Sequence, residues 1–92
     1  MNGGLFGFDF ARLMNLAFES TQYRIMTDLV SGYKSLAQIR LKELNEQCDV
    51  WKNMIDQLHP DFEDHTYNWL MGKWQIIHEM RVNLNNTFAK WS

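Results

Sequence analysis

Residues 37–58 read AQIRLKELNEQCDVWKNMIDQL, and the placement of apolar side chains within them decides the fold class. Ala37, Leu41, Leu44, Cys48, Trp51, Ile55 and Leu58 alternate at intervals of four and three. Such a rhythm is the heptad seam of an α-helix packed against a neighbour at a shallow angle, because a period of 3.5 keeps one stripe facing one partner. The positions between are rich in Gln, Arg, Lys and Glu, which all favour helix. A helix over residues 33–58 follows.

A second seam runs through Tyr67, Leu70, Trp74, Ile77, Arg81, Leu84, Phe88 and Trp91. Arg81 alone interrupts it; its aliphatic stem can lie across the seam while the guanidinium reaches the edge. Between the two seams lies LHPDFED, residues 58–64. Pro60 suits a first helical turn, and Asp61, Glu63 and Asp64 complement the positive end of a helix dipole. A proline also disfavours helical geometry in the residue before it. So short a connection makes its two helices antiparallel neighbours. Residues 33–58 and 60–90 are therefore expected to form an α-hairpin.

Upstream, residues 9–30 are helical by composition, with Asp9 as the expected N-cap. Phe10, Leu13, Met14, Leu16, Phe18, Tyr23, Ile25, Met26, Leu29 and Val30 occupy more than one face, so most of the circumference needs cover. Ser31-Gly32 is a natural break, glycine being favoured just past a helix end. A rival reading stays open. Leu13, Leu16, Ser20, Tyr23, Thr27 and Val30 keep the downstream heptad register through Lys34 to Ala37, which would make residues 10–58 one helix of about 75 Å. Ser20, Thr27 and Lys34 on that stripe favour the break. The expected architecture is all-α: an antiparallel hairpin (about 33–58 and 60–90) with an N-terminal helix (about 9–30), as three helices or an extended coiled-coil-like arrangement. Residues 1–92 make a single domain, with 1–8 as an apolar arm.

Apolar residues at 46% and charged residues at 22% match an ordinary folded domain. A chain of 92 residues is marginal unless its packing is dense or shared with another chain. Four tryptophans, three tyrosines, six phenylalanines and six methionines supply the means for dense packing. The net charge of −2 is well mixed, with no basic stripe to track phosphates, so nucleic acid is not an expected partner. No apolar run is long enough to span a bilayer. The first residues lack the basic region and cleavage site of a secretory signal, and the one cysteine excludes an internal disulfide framework. A reducing, cytoplasmic setting is expected, or the host cytoplasm or virion for a viral protein.

Candidate chemistry is sparse. In HPDFEDH, residues 59–65, His59 and Glu63 are four apart, as are Asp61 and His65, a spacing that can hold Zn²⁺. Acidic residues at a helix start and two solvated histidines explain the same pattern without a metal. His78-Glu79 lacks the second histidine of a metalloprotease helix, since Val82 stands where it should be. Cys48 lies on the apolar seam between Leu44 and Trp51, as a small buried hydrophobe would. No phosphate loop, nucleophile elbow or carboxylate pair assembles a site. The expectation is a non-enzyme with no catalytic residue, metal, cofactor or small-molecule substrate.

What remains is a surplus of apolar surface. Leu5, Phe6, Phe8 and Phe10 crowd the N-terminus, while Trp69, Ile76 and Met80 lie off the seam of the last helix. These seven are the expected partner-binding residues, because large open apolar patches mark interaction sites; the rival reading of Leu5, Phe6, Phe8 and Phe10 folds them back over the end of their own bundle. The reading is a protein-binding assembly protein, a homo-oligomer or a small subunit of a larger complex. Compact aromatic-rich modules of this kind are common among viral proteins, which makes a virion or accessory role part of that expectation. The alternatives are a small inhibitor or adaptor using a Trp-rich face, and a membrane-surface protein using an amphipathic N-terminus.

Overall fold

The computed structural model describes residues 3–58 and 64–91, with side chains from residue 7 onward. They form three helices, α1 (Gly3–Val30), α2 (Lys34–Leu58) and α3 (Asp64–Trp91), and no strand occurs among the described residues. Each helix packs on both others. The all-α, three-helix expectation holds. The described chain measures 47 × 18 × 16 Å, close to the length of a single 28-residue helix at 1.5 Å per residue. One continuous helix over 10–58 does not fit in that length.

The break between α1 and α2 is closed by backbone hydrogen bonds. Gly32 adopts φ 86°, the left-handed conformation that glycine enters without steric penalty. Its N–H donates to the Leu29 carbonyl at 3.1 Å, and the Tyr33 N–H donates to the Asp28 carbonyl at 2.8 Å. These are the two bonds of a Schellman cap, which satisfies carbonyls that the helix end would otherwise leave orphaned. The Tyr33 carbonyl then accepts from the Ala37 N–H at 3.0 Å, opening α2. Arg40 Nε lies 3.0 Å from Asp28 Oδ2, tying the start of α2 back to the end of α1.

Two boundaries differ from expectation. Helix α1 begins at Gly3, so Asp9 is an interior helical residue and not an N-cap, and residues 3–8 continue the helix instead of forming an arm. Packing explains this: Gly7 is buried against α3, and tertiary burial outweighs the poor helix propensity of glycine. At the other end Trp91, expected on the α3 seam, is exposed in the last turn, beyond Phe88, the last buried residue of the helix. The expected turn at His59-Pro60 and the start of a helix at 60 lie outside the described residues.

The core is built from three stripes. Helix α2 contributes Ala37, Leu41, Leu44, Cys48, Trp51 and Ile55, the expected seam as far as Ile55. Helix α3 contributes Leu70, Trp74, Ile77, Leu84 and Phe88. Helix α1 contributes Phe10, Ala11, Met14, Phe18 and Ile25. Met26, Leu29, Tyr67, Met71 and Met80 pack on this cluster from its edges. No polar or charged residue is buried among those described.

A polar ladder fixes the α2–α3 register. Asn45 and Asn85 exchange amide hydrogen bonds at 3.0 and 2.9 Å. Arg81 Nη1 donates to the Asn45 carbonyl at 2.9 Å and to Asp49 Oδ1 at 3.0 Å, its stem crossing the seam with the side chain only 12% exposed. The Trp74 indole donates to the Cys48 carbonyl at 2.8 Å, and the Tyr67 hydroxyl donates to Asp56 Oδ1 at 2.7 Å. Residue numbers rise along α2 as they fall along α3, which is the antiparallel hairpin.

Candidate functional site

The α1–α3 edge is where the apolar surplus gathers. Gly7 eases the approach: a Cβ there would stand 3.2 Å from Thr66 Cγ2, closer than most side chains allow, and in ordinary contact at 3.5 Å with Leu70 Cδ1. The two helices therefore approach closely at this point, and the next residue, Phe8, comes alongside Trp69. Their rings stack at 6.3 Å between centroids with an interplanar angle of 14°, a geometry aromatic pairs favour. Phe8 is nevertheless 55% exposed and Trp69 41% exposed. The Lys73 ammonium sits 5.4 Å from the Trp69 ring, within cation–π range.

Grooves open on both sides of this aromatic pair. One, of about 290 Å³, is lined by Phe8, Ala11, Leu16 and Trp69 together with the polar Arg12, Asn15 and Lys73. The other, of about 370 Å³, is lined by Phe8, His65, Thr66 and Trp69. Ile76, two turns along α3 from Trp69, extends the same flank and is exposed.

Of the seven expected partner-binding residues, Phe8, Trp69 and Ile76 lie together on this open edge. Met80 is half-buried against the core. Phe10 is in the core itself, at 9% exposure, because its position in α1 points between the other two helices. Leu5 and Phe6 belong to α1, and their side chains lie outside the described residues. The edge also includes two residues outside the expected partner-binding set, Leu16 and Lys73, which come from different helices and share a groove only through the bundle.

The chemistry-bearing residues take different places. Cys48 is fully buried, and burial pushes its thiol up to about 11, with Arg81 pulling it down and Asp49 adding to the rise. A thiol so held stays protonated at neutral pH, and the thiolate is the nucleophilic form. His78 stacks on Trp74 at 5.0 Å, and its Nδ1 lies 3.3 Å from Arg81 Nε as an acceptor. His65 lines the groove beside Phe8, while His59, Asp61 and Glu63 lie outside the described residues. Among the described residues no three His, Cys, Asp or Glu side chains gather where they could hold a metal. Likewise no described helix is long and apolar enough to cross a membrane. No protein-family model matches this sequence, and neither a curated protein nor a solved structure shows significant similarity to it.

Proposed function

We propose that this chain is a non-enzymatic helical assembly protein of the cytoplasm, or of the virion or host cytoplasm if viral, which binds protein through apolar surface its own three helices leave open. The observation that carries the reading is the Phe8–Trp69 pair: two large aromatic rings stacked on each other and half open to water between two grooves. Tryptophan is enriched at the centres of binding interfaces, where desolvation makes each ring count. Rigid aromatic walls beside a groove suit the apolar side chains of a docking helix. Ile76 lengthens the patch, and Lys73 and Arg12 give it a charged rim, the usual anatomy of an interface.

The experiment is light scattering of the purified chain beside its Trp69→Ala variant. The reading expects a mass above the 11.0 kDa of one chain, reduced in the variant, with helical content kept in both. A monomer at every concentration favours the inhibitor or adaptor alternative, in which the same edge meets a different protein.

A further inference from the structure

Helix α1 carries two heptad stripes on opposite faces, and the bundle covers only one. The inner stripe, Ala11, Met14, Phe18 and Ile25, is buried. The outer stripe is Leu13, Leu16, Ser20, Tyr23, Thr27 and Val30, spaced three and four apart without a slip. At 100° per residue its centre lies roughly opposite the inner one. Leu13, Leu16, Tyr23 and Val30 each leave more than half of their surface open, Tyr23 as much as 75%. Thr27 turns its hydroxyl back onto the Tyr23 carbonyl at 2.8 Å, so its polar group is already satisfied. A helix with a buried apolar stripe on one face and four exposed large apolar side chains on the other has surface for a second partner.

We propose that the outer stripe of α1 is a self-association seam, occupied by the same stripe of a second copy running antiparallel. The seam is complementary to itself about its own midpoint. Antiparallel overlap of residues 13–30 sets Leu13 against Val30 of the second copy, Leu16 against Thr27, and Ser20 against Tyr23, so that each small side chain meets a larger one. Interdigitation of this kind is what close packing requires. The flanks agree, because Glu19 falls beside Met26 of the second copy and Arg24 beside Ala17, with no like charges facing. A parallel pair would instead stack Ser20 on Ser20 and Tyr23 on Tyr23. It would also set Asp9, the next position on the stripe, against its own copy. Parallel packing gains one exposed pair, Glu19 with Arg24, and such pairs contribute little.

The seam is a single helix face, which places it at the small end of specific interfaces, where association is weak and transient. The inference rests on the assembly reading but not on the Phe8–Trp69 edge; only Leu16 borders both surfaces.

Sedimentation of the full chain across about 5–500 µM should include a step from 11.0 kDa to twice that value, with any larger species owed to the Phe8–Trp69 edge. Tyr23→Glu and Leu13→Glu should abolish the change with helical content and melting intact, while Trp69→Ala leaves this step in place. For orientation, Leu13→Cys protein mixed with Val30→Cys protein should be joined by a short bifunctional thiol reagent. Leu13→Cys alone should not, since its two copies would stand about 25 Å apart along the antiparallel axis. A monomer throughout, a dimer indifferent to Tyr23→Glu, or linkage of Leu13→Cys to itself would overturn the proposal. Loss of association in Trp69→Ala but not in Tyr23→Glu would leave the edge reading standing and remove this one.

Discussion

Asn45 and Asn85 face each other across the α2–α3 seam and exchange two hydrogen bonds, at 3.0 and 2.9 Å, while Asn85 Nδ2 also reaches the Arg81 carbonyl at 2.8 Å. Each amide satisfies the other at a half-buried position beside an otherwise apolar core. A slip of α3 by one turn would part them, so the pair acts as a register pin in the manner of a polar residue at a coiled-coil seam.

That relationship predicts an asymmetry. Asn85→Ala should cost about 1–3 kcal/mol, because it strands the Asn45 amide half out of water. The double replacement Asn45→Leu with Asn85→Leu should cost less than the sum of the two single changes, since no polar group is then left unpaired. A double-mutant cycle by urea unfolding measures this. Additive costs would mean the two amides do not interact.

Gly32→Ala should destabilise the chain by about 1–2 kcal/mol, the penalty for holding an L side chain in the left-handed conformation. No steric crowding contributes, because nothing lies within 4 Å of the Cβ that the substitution adds. Thermal melting gives the answer, with Gly72→Ala as the control. Gly72 is helical and its added Cβ is equally free, so this change should stabilise by about 0.5–1 kcal/mol.

Stability should fall in alkali. The Cys48 thiol has an ordinary value of 9.0 and is pushed up to about 11 by burial, so the unfolded chain loses its proton first. A folded-state value above the unfolded one gives stability that is complete below 9.0 and lost as the pH rises to about 11. The Tyr67 hydroxyl is also raised, chiefly by its hydrogen bond to Asp56, and acts in the same direction. Urea midpoints followed through this range should decline, and less steeply in Cys48→Ala. In the native chain at neutral pH, Cys48 should react with a thiol reagent only at the rate of unfolding.

Helices α2 and α3 were legible in the sequence because each has one dominant apolar stripe in strict heptad rhythm, ending within a turn of the last buried residue. Helix α1 was legible as a helix but not in its facing. Its outer stripe, Leu13 to Val30, shares the register of α2, and spacing alone cannot tell a continued core seam from a stripe turned outward. Phe18 and Ile25 decide the matter in three dimensions, since they fill the space between α2 and α3. At the candidate site, Trp69 and Ile76 were visible as off-seam residues on one flank. The stacking of Phe8 on Trp69 was not, because it depends on Gly7 letting two helices distant in sequence come close. The polar ladder was equally hidden: Asn45 and Asn85 are forty residues apart, and nothing in either neighbourhood marks them as partners.

The central claim is that the open apolar residues serve association and not the monomer core. The most direct measurement is solution mass beside thermal melting for the native chain, Trp69→Ala and Ile77→Ala. Ile77 is fully buried, so its truncation should cost roughly 2–5 kcal/mol and lower the melting temperature sharply. Trp69→Ala should leave the helical fold largely intact and lower the solution mass below that of the native chain at the same concentration, down to the species that the α1 seam alone supports. A native chain that is already monomeric, together with a Trp69→Ala variant that melts as early as Ile77→Ala, would contradict the account.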